Sequence, residues 1–274
     1  MSKALTQETE KKVLSMPQPI SRLSEHLLHE QFSVALQPRV NVHTQLLHGF
    51  EVFARWQHPQ RGYIAPAQFI HIAESQELID QLTFFVIEQA APIFKQYNQS
   101  HALKLSINIS PLSFRHPDFL TELLRICEQS GLKPKQLILD FPESVVTDDF
   151  QTFSLLLDQF REAGFLVALD DFGTSDATAL NIDRMHLHEL KLDYTITKAM
   201  VKDKESRFLA QSAITVARHG DILITAECIE DQDTLDLAKR LGVDIVQGYF
   251  IGKPMFKEEL ANWWQAYQKN LCNY

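Results

Sequence analysis

Cysteine is scarce: Cys127, Cys228 and Cys272 are the three in 274 residues. An odd number at irregular spacing excludes a disulfide framework and a thiolate metal site, and reads as reduced thiols in a cytoplasmic chain. Basic residues are also short, with 26 Lys and Arg against 35 Asp and Glu and a formal net charge of -9. That balance excludes a binder that holds polymeric nucleic acid by bulk attraction, although a metal ion or a few placed cations still let an acidic chain hold single phosphates. No apolar run approaches the ~20 residues of a membrane span, so membrane insertion is not expected. The opening MSKALTQETEKK has no apolar core of the kind a secretion signal carries. No tract rich in Pro, Gly or Ser divides the chain, and no fixed-period repeat runs through it. The expected organisation is a lead-in over 1–28, flexible or left from a longer protein, and one folded domain over 29–274.

What is present is alternation. A helix is expected over SRLSEHLLHE (21–30), and two β-type runs follow, FSVALQPRV (32–40) and LLHGFEVFARW (46–56), linked by a hairpin-like NVHTQ. A helical stretch over roughly 66–97 carries an apolar stripe through Phe69, Ile72, Leu78, Leu82, Phe85 and Val86. Short strands then recur at 103–110, 136–140, 165–170, 189–193, 222–227 and 243–248. Helical patterns near 117–129, 149–163, 195–219 and 231–241 separate them, and one near 257–268 closes the chain. Strand-helix alternation of this kind implies βαβ units and a parallel sheet. Eight candidate strands fit an α/β fold of the modified (β/α)8, TIM-like barrel type better than an open sheet, and the opening hairpin makes one strand antiparallel to the rest.

Strand after strand ends on a residue able to meet a metal or a phosphate: Asn108, Asp140, Asp170 with Asp171, Lys191 with Asp193, Glu227 and Gln247, with Glu51 inside the second strand. In a β/α barrel these ends share one face, where such folds place their active sites. Any single Asp here reads equally well as the N-cap of the next helix. Taken as a set, they favour a functional rim. Oxygen donors without clustered His or Cys suit hard cations such as Mg²⁺, Mn²⁺ or Ca²⁺ and disfavour zinc, and the 11 histidines show no HExxH-type spacing. Several carboxylates on one rim suit phosphoryl transfer or phosphodiester hydrolysis. Lys191 is then placed to orient a water or to meet charge developing on phosphorus. The adjacent Asp170 and Asp171 repel each other, so their pairing also asks for a positive neighbour.

These segments resemble the EAL domain family, bacterial phosphodiesterases that linearise cyclic di-GMP. FEVFARWQHP (50–59) resembles its Glu-Ala-Leu-x-Arg-Trp segment, with Val52-Phe53 in place of Ala-Leu. LSINIS (105–110), LDFPES (139–144), DDFGTS (170–175), LKLD (190–193), AECIE (226–230) and QGYFIGKPM (247–255) follow in the family's order. The resemblance implies Glu51, Asn108, Asp140, Asp170 and Asp171 as ligands of Mg²⁺ or Mn²⁺. It implies Lys191 and Glu227 as the catalytic residues that hold the attacking water, and Gln37, Arg55, Asp193 and Gln247 as contacts around the dinucleotide. Glu143 would anchor the loop after the aspartate pair, and a homodimer through barrel-flanking helices is expected. Three departures stand out. Asp140 replaces a metal-binding Glu, which withdraws the carboxylate by roughly 1.5 Å at a position where Mg²⁺ is demanding. Pro142 replaces Thr. Ser175 and Asp176 replace Gly and Tyr in the loop that follows. Two functional readings therefore stand, an attenuated cyclic di-GMP phosphodiesterase and an inactive domain of the same fold that serves as a receptor or an interaction module.

Overall fold

The computed structural model describes residues 31–100, 102–148, 150–173 and 182–271. The expected helix over 21–30 and the Ser175–Asp176 departure lie outside them.

The first two strands, β1 (Phe32–Asn41) and β2 (Leu47–His58), form the expected antiparallel hairpin. A short β3 (Gly62–Ile64), not anticipated from the sequence, folds back on the end of β2. The remaining strands are β4 (Lys104–Asn108), β5 (Leu137–Pro142), β6 (Leu166–Phe172), β7 (Glu189–Leu192), β8 (Leu223–Ala226) and β9 (Ile245–Gln247). Their order is β1-β9-β8-β7-β6-β5-β4-β2, and the β1–β2 pairing closes the sheet into an eight-stranded barrel. β1 runs antiparallel to both neighbours, β2 and β9, and the other barrel pairings are parallel. The modified (β/α)8 reading is thus the observed fold. The buried run Leu137–Phe141 of β5 shows why: a strand covered on both faces reads as apolar throughout, here but for Asp140, rather than as alternation.

The helical stretch expected over 66–97 is two helices, α1 (Pro66–Ser75) and α2 (Ile79–Tyr97). Glu77 takes φ +57 between them, and the Leu78 amide donates back to the Ala73 carbonyl at 2.7 Å. This left-handed break turns the chain so that Phe69 and Ile72 of α1 and Leu82 and Val86 of α2 are all buried. α3 (Phe119–Ser130), α4 (Val145–Asp148), α5 (Phe150–Glu162) and α6 (Ile182–Met185) precede β7. The pattern over 195–219 is likewise divided, into α7 (Tyr194–Ala199) and α8 (Lys204–His219), because Asp203 caps the second helix through the Ser206 amide at 2.7 Å. α9 (Gln232–Leu241) and α10 (Lys257–Leu271) complete the chain.

At the C-terminal ends of the strands, the loops after β8 and β9 are bonded together. The Ile229 amide donates to Gln247 and the Phe250 amide to Ile229, both at 3.0 Å. Gly248 permits this approach, since a Cβ there would lie 2.2 Å from the Ile229 backbone.

Candidate active site at the barrel mouth

Side chains on alternate positions of a strand share a face, so each inward polar residue belongs to a layer of the barrel. β1 pairs Gln37 with Glu51 of β2, β2 pairs Glu51 with Ser106 of β4, and β4 pairs Asn108 with Asp140 of β5. The strand ends thereby bring the expected residues together around one group, the ammonium of Lys191. Its Nζ lies 2.8 Å from Asp140 Oδ2, 2.9 Å from Glu227 Oε1, 3.2 Å from Glu51 Oε2 and 3.6 Å from Asp170 Oδ2, and the lysine is fully buried. Side-chain amides hold Glu51 in turn. Asn108 Nδ2 donates to Glu51 Oε1 at 2.8 Å, and Gln247 Nε2 donates to Glu51 Oε2 at 2.8 Å and to Gln37 Oε1 at 3.0 Å.

The electrostatics follow from burial set against this pairing. Burial works against the ammonium of Lys191, but Asp140, Asp170, Glu227 and Glu51 outweigh it and hold the pKa well above the ordinary lysine value. Lys191 is therefore a fixed cation and no base. Burial pushes Asp140 up to about 7 and raises Asp170, and it pushes Glu227 well above the ordinary range, in each case against the pull of Lys191. Burial also works to raise Glu51, yet Lys191, Arg39 and the two amide bonds together hold it below its usual value. The excess of carboxylates over cations stores protons.

The aspartate pair divides. Asp170 turns inward to Lys191, while the Asp171 backbone takes the left-handed φ +58 and its amide donates to Asp170 Oδ1 at 2.9 Å. Asp171 is exposed at the mouth; the partial burial of its carboxyl, then Asp170 and Asp193, push it to about 6. A left-handed aspartate is an uncommon conformation, and here it separates the two neighbouring carboxylates.

Other expected residues have additional engagements. Asp193 is the N-cap of α7, accepting from the Thr195 amide at 2.7 Å and from its hydroxyl. Gln37 is buried, with its Nε2 donating to the Gly252 carbonyl at 2.9 Å. Arg55 lies on the same face of β2 as Glu51 and Phe53. Its guanidinium donates to the Ala54 carbonyl at 3.0 Å and lies 5.4 Å from the centre of the Phe53 ring. The Glu143 amide donates to the Asp170 carbonyl at 2.9 Å, which ties this buried glutamate to the strand that carries the pair. Most of the loop it was expected to anchor lies outside the described residues.

Sequence reading missed the layer beneath. Arg39 is fully buried and pairs with Glu189, which also accepts from Thr225 Oγ1 at 2.6 Å. Ser106 Oγ donates to Asp140 Oδ2 at 2.6 Å. The signal was available. Arg39 stands two residues after Gln37, Glu189 two before Lys191 and Ser106 two before Asn108, so each shares the inward face of a residue already singled out.

Among the described residues no three Asp, Glu, His or Cys side chains are arranged to hold a metal ion between them. The carboxylates close on Lys191 instead. The donor set nonetheless fits a hard divalent cation. It is all oxygen, its carboxylates outnumber the one ammonium, and Asp140 Oδ1 is buried without a hydrogen-bond partner. Beside the carboxylates, Asn108, Ser110, Asp140, Asp170 and Asp171 line a cleft of about 240 Å³. It shares Asn108, Ile70 and Ile79 with an apolar recess of about 230 Å³ that is walled by Val52, Phe53, Leu82 and Val86. Phe53 thus forms a wall of this recess. Larger concavities, of about 350 and 660 Å³, lie on the flank of the barrel and at its opposite end.

Comparison with known proteins agrees with this fold. The family model described as EAL domain matches residues 20–254. A curated cyclic di-GMP phosphodiesterase of Pseudomonas aeruginosa, PA2567, is 32% identical over 235 residues, which cover 85% of this chain and 40% of the relative. The chain thus spans well under half of that relative's length. The solved structure titled PaMucR phosphodiesterase, c-di-GMP complex, superposes with a TM-score of 0.83 at 28% identity, covering 89% of this chain and all of the other. The EAL enzyme Bd1971 in its cAMP- and cyclic-di-GMP-bound form gives a TM-score of 0.81 at 25% identity, covering 94% of this chain and 73% of the other.

Proposed function

The chain belongs to the EAL domain family, and on that footing we propose that it is a metal-dependent phosphodiesterase that hydrolyses cyclic di-GMP to linear pGpG. The observation that carries the reading is the ammonium of Lys191 held among Glu51, Asp140, Asp170 and Glu227 at the barrel mouth. Mg²⁺ or Mn²⁺, held by Glu51, Asn108, Asp140, Asp170 and Asp171, would supply charge neutralisation at the phosphate and acidify a water. Lys191 stays positive throughout. It orients the attacking water and meets the charge that develops on the phosphoryl oxygens. Glu227 Oε1, on the same ammonium, helps to hold that water. Gln247 and Asn108 fix the Glu51 carboxylate, so the cluster is oriented before substrate arrives. Water adds to one phosphorus, the bond to the ribose 3′ oxygen breaks, and the 5′-phosphate of pGpG remains. Arg55 and Phe53 bind the dinucleotide at the rim with Gln37 and Asp193 behind them, while Glu143 supports the loop after Asp171. The expected setting is the cytoplasm, with a homodimer through barrel-flanking helices.

The test is to incubate the protein with cyclic di-GMP and Mg²⁺ or Mn²⁺ and separate the products by chromatography. Linear pGpG is expected, and its absence over hours refutes the assignment. One observation favours a second reading, an inactive domain that binds cyclic di-GMP. Asp140 is drawn onto Ser106 and Lys191, and no three acidic side chains among those described are set around a common ion position. Tight binding by calorimetry without product would establish that reading.

A further inference from the structure

We propose that Ser106 is a positioning residue for Asp140, one that sets which carboxylate oxygen faces a divalent cation. Ser106 lies on β4 one pleat below Asn108, faces into the barrel and is fully buried. Its Oγ donates to Asp140 Oδ2 at 2.6 Å, and the same oxygen meets Lys191 Nζ at 2.8 Å. The other oxygen, Oδ1, is buried and has no hydrogen-bond partner.

An aspartate carboxylate rotates in a broad, roughly two-fold χ2 well, so a single contact does not fix its plane. Here a hydroxyl from β4 and an ammonium from β7 meet one oxygen from two strands. They set the plane and leave Oδ1 as the oxygen that can be presented to a cation. The competing explanation is that Ser106 is a core serine satisfying its own hydroxyl. That role requires Asp140 as an acceptor but gives Ser106 no influence on a cation.

The inference rests on the proposed binding of a divalent cation, and the experiment separates the two. The rise in melting temperature is titrated with Mn²⁺ for the wild type, Ser106→Ala, Asp140→Ala and the double variant, with Ser106→Cys as a volume-preserving second replacement carrying a weak donor. A hydrogen bond to a charged group carries enough energy to move the Mn²⁺ midpoint of Ser106→Ala about tenfold upward. Ser106→Cys moves it in the same direction, and kcat falls with little change in KM for cyclic di-GMP. In the Asp140→Ala background the serine change has no further effect. A midpoint within twofold of wild type for both serine variants overturns the proposal, as does an equal effect with and without Asp140. A wild type whose melting temperature ignores Mn²⁺ overturns the cation reading itself and this inference with it.

Discussion

The buried Asp140 gives a stability prediction whose sign and size both follow from its surroundings. Burial lifts its carboxyl from an ordinary 3.8 to about 7. Below pH 4 it is protonated in both folded and unfolded chains and contributes no slope. Between pH 4 and 7 the folded chain keeps a proton that the unfolded chain has released, so this group makes stability fall as pH rises. Above about pH 7 the loss is complete. Roughly three pH units at about 1.4 kcal/mol each give a loss on the order of 4 kcal/mol. His48 acts in the opposite sense over the same window. It is half-buried, and desolvation followed by the nearby Arg39 lowers it to about 4, so its contribution is lost as pH falls. The wild-type curve alone therefore mixes opposing slopes, and the informative quantity is a difference. Urea unfolding of the wild type and of Asp140→Asn, with a chelator present, is followed from pH 4 to 8. The unfolding free energy of the variant minus that of the wild type is expected to rise by about 4 kcal/mol across the window, nearly all of it before pH 7.5. A flat difference, or one that falls with pH, refutes the assignment of a buried, proton-holding Asp140.

Lys191→Met removes the ammonium from four carboxylates and is expected to cost about 3–5 kcal/mol at pH 8, less at pH 5 where protonation relieves the repulsion, and to abolish pGpG formation; parallel melts and product assays check both. Arg39→Met alone leaves Glu189 buried without its partner and is expected to destabilise by a similar amount, about 3–5 kcal/mol. Arg39→Met with Glu189→Leu, an apolar pair in the same space, is expected to recover most of that loss in urea unfolding, and a double variant no more stable than the single one argues against the pairing. Mn²⁺ is expected to raise the melting temperature at pH 8 by several degrees and at pH 5 by much less, because protons held on Asp140 and Glu227 compete for the same oxygens; equal shifts at the two pH values count against that competition.

The eight barrel strands were legible because each is a short apolar run ended by a polar residue, and closure of the barrel turns those ends into one rim. The antiparallel β1 was legible from the hairpin. The division of 66–97 into two helices was not, because the apolar stripe continues in phase across Gln76 and Glu77 and a left-handed Glu leaves no glycine to mark the break. Asp193 carried two readings, cap and site, and local sequence does not choose between them. The floor of the site was hidden for a different reason. Arg39, Glu189 and Ser106 each sit two residues from a residue already singled out, yet a polar or charged side chain inside a strand reads as solvent-facing until the strand is known to line a barrel. Burial on both faces, a tertiary fact, inverted that assignment.

Charge arithmetic explains why a lysine and a cation can occupy one site. Glu51, Asp140, Asp170, Asp171 and Glu227 carry five formal negative charges, and Lys191 supplies one positive charge in their midst. Arg39 is already matched by Glu189, so the rim is left with a deficit of four positive charges. Without a metal the fold meets some of that deficit with protons, which is why burial drives Asp140 and Glu227 upward while Glu51, held by two amides and by Lys191, stays ionised. On the proposed reading, divalent cations would meet it by displacing those protons. Lys191 is then no rival to the metal but the fixed point that keeps four carboxylates converged whichever counter-charge is present. Asp140 matters most at this point. It reaches the lysine at 2.8 Å and so is part of the scaffold that Lys191 holds together.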